Sequence, residues 1–246
     1  MGQEGRPAGF AAAYGKEYGN HDGASCYHGA ARHGNVIAFA SIGGAAGVDV
    51  LRAGGSAIDA AIATAAVLGV VYPHMTGVGG DAFWLIHDGK TGKVRYVNGG
   101  GRAAANATIS RLSEMGHDEI PLKGIVPATL TTPGAVASWS LAHDDYGRLP
   151  MVRVLESAIG YAREGFPVTQ RLAHSTSSLE AELAKHTESA NIFLANGKAP
   201  ASGAIQVNEN LARTLESYAQ NGWSGFYEGD VAKEMVLKTA VLRTLF

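Results

Sequence analysis

Val48-Asp49-Val50-Leu51-Arg52-Ala53-Gly54-Gly55-Ser56-Ala57-Ile58-Asp59-Ala60-Ala61-Ile62-Ala63 reads as two helices joined at a glycine pair. Before the pair, Val48 and Leu51 lie three apart and share the inward face of a short helix expected over residues 45–53. Gly54-Gly55 ends it, because glycine takes the left-handed backbone of a helix C-cap without strain. Ser56 restarts the chain as an N-cap, and Asp59 three residues on completes a pattern like a capping box, with Asp in place of the longer Glu. The Ala-rich body that follows suits close helix packing, and Pro73 breaks it.

Upstream, residues 36–41 have strand-like apolar content, and Gly43-Gly44 supplies the freedom to turn from that strand into the first helix. Downstream, residues 73–81 form a glycine-dense loop before the strand Ala82-Phe83-Trp84-Leu85-Ile86-His87. A turn signal at 88–92 and polar–apolar alternation over 93–98 make the pair an antiparallel hairpin. From Pro133 onward the pattern is helical, over approximately 134–146, 151–164, 169–185 and 208–221. The expected fold is a layered α/β protein in which 36–41, 82–87 and 93–98 share one sheet covered by the helix 56–72. Residues 1–35 show neither period and read as a loosely ordered lead to a main region over 36–236.

Composition narrows the function. The 246 residues are 46% hydrophobic and 17% charged, which is globular. Lys+Arg 20 against Asp+Glu 22 leaves a net charge of −2, so no positive field exists to hold a nucleic acid or an anionic membrane. A small neutral or zwitterionic partner fits better. The single cysteine, Cys26, can form no internal disulfide and reads as a bystander in a reducing compartment. Residues 1–20 lack a basic start followed by an apolar run, so a cytoplasmic location is expected. The apolar run 57–71 contains Asp59 and is shorter than the ~20 residues that span a bilayer.

From about Asn35 to Val236 the sequence resembles the large-subunit portion of the γ-glutamyltransferase (γ-glutamyltranspeptidase) family of Ntn hydrolases. The helix–glycine–helix stretch carries the resemblance first, followed by Val70-Val71-Tyr72-Pro73-His74 leading into Gly77-Val78-Gly79-Gly80-Asp81. Thr132-Pro133-Gly134-Ala135-Val136-Ala137, Ala162-Arg163-Glu164-Gly165-Phe166 and Phe226-Tyr227-Glu228-Gly229 match later family segments. The resemblance implies a four-layer αββα sandwich made as one precursor, which cleaves itself to expose an N-terminal Thr on a small subunit. That Thr is the nucleophile and its α-amine the base, placing a group of near-neutral pKa beside a weak hydroxyl nucleophile. The family acts on γ-glutamyl amides such as glutathione and needs no metal or organic cofactor. After residue 236 the family continues into a Gly-Gly turn, whereas 237–246 does not, so this stretch reads as an atypical tail and the nucleophile as absent.

Doubled Thr marks the cleavage point in the family, yet Thr131-Thr132 is followed by Pro133, and cleavage there would remove most of the helices. Thr132 is expected instead to cap the helix that starts near Gly134. The resemblance implies a large-subunit Arg whose fork pairs with the substrate α-carboxylate, and Arg102 is the local candidate for it. Ungapped matching of Ala105-Asn106-Ala107-Thr108 puts Gly99 at that Arg position, a departure that makes Asn98-Gly99-Gly100-Gly101-Arg102-Ala103 look like transferase-like paralogues that include acylases. An acylase of the same fold, or an inactive binding or assembly piece, are therefore the alternatives. Gly77 to Gly80 lacks the Lys-Ser/Thr of a phosphate loop and reads as a tight packing turn. His74 and His87 have no metal-binding spacing and read as packing or surface residues, while Asp59 and Asp81 read as caps and loop ties.

Overall fold

The computed structural model describes residues 27–31, 34–38, 40–105, 107–119 and 130–244. Cys26 and most of the expected lead lie outside them. The first described element, β1 (Tyr27–Ala31), pairs antiparallel with β2 (Gly34–Ala38). It lies inside the stretch read as a lead, because small residues give Tyr27–Ala31 no alternation to detect. Ser41 belongs to no strand; it opens helix α1 (Ser41–Arg52), four residues earlier than expected.

That earlier start changes the meaning of the glycines. Gly43 and Gly47 lie inside α1 and face α2 (Ala57–Val71). A Cβ at Gly43 would meet Leu68 Cγ at 2.9 Å, and one at Gly47 would strike Thr64 Oγ1. They are seats for a closely packed helix, whereas Gly43 was expected, with Gly44, to supply the freedom to turn into α1. The joint between the helices is as read: Gly54 takes φ +91°, with Gly55 N–H donating to Val50 O at 3.0 Å and Gly54 N–H to Leu51 O at 3.1 Å. Both halves of the capping box form, Asp59 N–H to Ser56 Oγ at 3.1 Å and Ser56 N–H to Asp59 Oδ2 at 2.8 Å.

α2 is apolar on almost every side and buried accordingly, with Ile62, Ala63, Ala66 and Val67 at 0% exposure. Asp59, also fully buried, reaches beyond its cap: Oδ2 accepts from Arg148 N–H at 3.0 Å and Leu149 N–H at 3.2 Å. One carboxyl oxygen thus ties the start of α2 to the turn between α4 (Ala135–Tyr146) and α5 (Met151–Glu164). His143 Nε2 bonds Leu149 O at 2.9 Å from the other side of that turn.

β3 (Ala82–His87) and β4 (Val94–Gly99) form the expected hairpin, with Leu85 opposite Tyr96. Its inner face lies on α4, where Trp84 Nε1–H donates to Ser138 Oγ at 2.9 Å and Ile86 and Val97 join the core. The outer face is bare, with Phe83 62%, Leu85 78%, Val94 60% and Tyr96 61% exposed. Two expectations change here. Among the described residues β1–β2, β3–β4 and a short pair β5 (Phe166–Pro167) with β6 (Ile205–Gln206) are separate two-stranded sheets, and the helix covering β3–β4 is α4 in place of 56–72. Apolar content marks a strand but does not name its partner.

The remaining helices are α3 (Ile109–Glu114), α6 (Gln170–Ser178), α7 (Glu180–Leu183), α8 (Thr187–Phe193), α9 (Glu209–Asn221), α10 (Trp223–Tyr227) and α11 (Gly229–Thr244). The helix expected over 169–185 breaks at Leu179, after a run of hydroxyl residues in which Ser178 Oγ–H donates back to Ser175 O at 2.8 Å. Val154, Leu155 and Ala158 of α5 pack with Leu215 and Tyr218 of α9 inside the core, and Arg163 forks onto Glu216 with bonds of 2.9 and 2.8 Å. Among the described residues no helix is long and apolar enough to cross a membrane.

Candidate active site

Three loops meet at one end of the β3–β4 hairpin: the glycine loop before β3, residues 100–103 after β4, and residues 131–134 before α4. Each is bonded to the other two, two of the links being backbone to backbone and the third running through the Asp81 carboxylate. Gly80 O accepts from Gly134 N–H at 3.0 Å and Ala135 N–H at 2.9 Å. Asp81 Oδ1 accepts from Gly101 N–H at 2.8 Å. Thr132 N–H donates to Arg102 O at 3.0 Å, and Ala103 bridges Thr131. Arg102 therefore stands on a turn held on both sides of its own position.

The approach is too close for side chains. A Cβ on Gly101 would run into Thr132 O, and one on Gly134 into Gly99 O. Tight packing was expected of Gly77 to Gly80, but a Cβ at Gly77 or Gly79 meets nothing within 4 Å. That segment is a turn closed by Gly80 N–H to Gly77 O at 3.4 Å, and the close approach occurs at the loops it touches.

Arg102 is exposed, and among the described residues its guanidinium has no hydrogen-bond or ion-pair partner. Thr131 and Thr132 are exposed too, but Thr132 does not cap α4. Gly134 occupies the N-cap without a side-chain bond, and the free amide of the first turn is met from a distance: Ala137 N–H donates to Tyr227 Oη at 2.9 Å, while Tyr227 O–H donates to Pro133 O at 2.8 Å. Burial raises the Tyr227 phenol above its ordinary value, which keeps it a donor. Only its place in Phe226-Tyr227-Glu228-Gly229 hinted at such a role.

Of the other residues singled out, Asp59 and Asp81 are the cap and loop tie expected. His74 packs edge-on against Tyr72 at 4.1 Å, and His87 is exposed at the end of β3. Burial, and then Arg171, lower the His74 pKa. A groove of about 1030 Å³ opens beside the knot between Val78, Gly79 and helices α9 to α11; Arg102 does not line it.

The sequence model described as Gamma-glutamyltranspeptidase matches residues 43–241, more than half of the chain. The chain is 46% identical over 192 residues to the glutathione hydrolase-like YwrD proenzyme of Bacillus subtilis, covering 78% of this chain and 36% of that protein. It is 38% identical over 215 residues to the oxamate amidohydrolase proenzyme of Klebsiella pneumoniae, covering 85% and 40%. The γ-glutamyltranspeptidase structure from Helicobacter pylori superposes with a TM-score of 0.77 at 27% identity, over 83% of this chain and 59% of that one. The chain thus spans about two fifths or less of the two curated relatives' lengths. With its helix–glycine–helix joint, its hairpin and its loop knot inside the matched region, the chain belongs to the γ-glutamyltranspeptidase family of N-terminal-nucleophile hydrolases.

Proposed function

We propose that this chain is the large-subunit part of an enzyme that cleaves or transfers γ-glutamyl amides of the glutathione type, with Arg102 receiving the substrate α-carboxylate. The observation that carries the reading is the Arg102 turn, an exposed and unpaired guanidinium among the described residues on a backbone held by Asp81 and Thr132. A planar fork on a fixed base suits bidentate capture of a carboxylate. In this reading a small subunit of the same precursor supplies the N-terminal Thr. Its hydroxyl oxygen attacks the γ-amide carbon while its α-amine takes the proton, the amide nitrogen leaves as a protonated amine, and water or an acceptor amine then resolves the ester. The bare outer face of β3–β4 supports such a partner, since an apolar patch of this kind marks an unmade contact.

A second reading keeps the nucleophile and changes the amide. The identity of 38% to an oxamate amidohydrolase proenzyme, together with Gly99 at the place where ungapped matching puts the family's Arg, favours an acylase of the same fold. The chain expressed with its nucleophile-bearing subunit separates the two: chromophore release from a γ-glutamyl anilide supports the first, and ammonia release from oxamate with a silent anilide supports the second. The 246-residue chain alone is expected to show no turnover above a boiled control. Turnover by the lone chain would put the nucleophile at Thr131 or Thr132 and overturn both.

A further inference from the structure

We infer that Asp81 is a positioning residue for Arg102, fixing the turn that presents the guanidinium to an anionic group of the substrate. The inference rests on the reading of Arg102 as the carboxylate ligand. Its geometric basis is independent of that reading. Asp81 Oδ1 accepts from Gly101 N–H at 2.8 Å, one residue before Arg102. Gly101 has no side chain with which to anchor itself, and the closeness of Thr132 O forbids one, so its amide is the handle available on that side. On the far side Thr132 N–H holds Arg102 O at 3.0 Å. Asp81 is itself held, because Gly80 just before it accepts from Gly134 and Ala135, and Ala82 just after it begins β3.

Electrostatics sharpens the case. An acidic side chain beside a cation meant for an anion weakens anion binding by its charge alone. Asp81 is exposed, so solvent screens that charge, while its hydrogen bond to Gly101 persists as a directional restraint. The useful attribute of Asp81 is then its acceptor oxygen, which Asn also carries. A guanidinium swung away by an unlatched turn loses the paired geometry that makes the fork selective.

The experiment uses the processed enzyme formed when this chain is expressed with its nucleophile-bearing subunit, and two substrates: a γ-glutamyl anilide and the same anilide with the α-carboxylate converted to a carboxamide. Asp81→Ala is expected to raise KM for the carboxylate substrate about tenfold with kcat within about threefold, and to leave KM for the carboxamide unchanged. Asp81→Asn is expected to restore KM to within about threefold of the parent, and Asp81→Ala is expected to add nothing in an Arg102→Ala background. A purely structural role would depress both substrates together, would appear as a lowered melting temperature, and would sink the inference. So would an Asp81→Asn enzyme as impaired as Asp81→Ala. Should Asp81→Ala fail to fold, the ratio of KM values between the two substrates in Asp81→Asn and Asp81→Ser decides, Ser being too short to reach Gly101; equal ratios overturn the proposal. If Arg102→Ala raises KM for the carboxylate substrate but Asp81→Ala does not, Asp81 alone is refuted. An Arg102→Ala enzyme with unchanged KM refutes the reading of Arg102 and this inference with it.

Discussion

At the scale of single residues, the buried polar side-chain atoms among the described residues divide into those with a hydrogen-bond partner and those without, the latter being Asp59 Oδ1 and both ring nitrogens of His74. Asp59 makes three backbone hydrogen bonds through one oxygen. His74 has no partner for either ring nitrogen among the described residues, and burial lowers its pKa. The folded chain therefore resists protonating His74, while the unfolded chain accepts the proton below about pH 6.5. Because the unfolded state binds more protons there, His74 makes stability fall as pH drops from about 6.5 towards the lowered folded value. His74→Phe keeps a ring against Tyr72 and removes that proton uptake, so its urea midpoint should depend less on pH below about 6.5 than the parent's. Parallel pH profiles for the two would show that His74 is not the source. The sequence disclosed half of what Asp59 does: Ser56 and Asp59 are three apart and announce a cap. The bonds to Arg148 and Leu149 cross 89 and 90 residues and have no local signal.

At the scale of elements, periodicity named the helices well where their ends carry chemistry. Met151–Glu164 was read with its observed bounds, and Gly54 stops α1 as expected. It failed where the decisive neighbour is distant, as for Gly43 and Gly47, whose role depends on Leu68 and Thr64 of the next helix. Two helical glycines should accordingly respond to alanine with opposite signs. At Gly47 the new Cβ meets Thr64 Oγ1, Ala60 O at 3.1 Å and Val36 Cγ1 at 3.1 Å, so Gly47→Ala should lose ~1–2 kcal/mol despite its better helix propensity. At Gly160 of α5 a Cβ meets nothing within 4 Å, and Gly160→Ala should gain ~0.5–1 kcal/mol. Urea unfolding of the pair checks this; equal signs would mean that the α1–α2 contact is looser than described.

At the scale of the whole molecule, the resemblance supplied the family, while the arrangement of sheets needed coordinates. The apolar face of β3–β4 that the core leaves uncovered predicts self-association of the lone chain. Replacing Phe83, Leu85 and Tyr96 together with Thr should yield a smaller species by sedimentation velocity with the melting temperature nearly kept, since these side chains are already 62%, 78% and 61% exposed. A parent chain monomeric at high concentration would remove the basis for this expectation. The Tyr227 hydroxyl offers a different kind of access. It stands between Pro133 O and Ala137 N–H, the pair that would otherwise close one more helical bond, and reaches them across 94 and 90 residues. An amide in the first turn of a helix ordinarily trades its proton with solvent quickly. Ala137 can do so only when α10 lets go, which makes its deuterium uptake a clock for how often the C-terminal helices detach from the body of the protein.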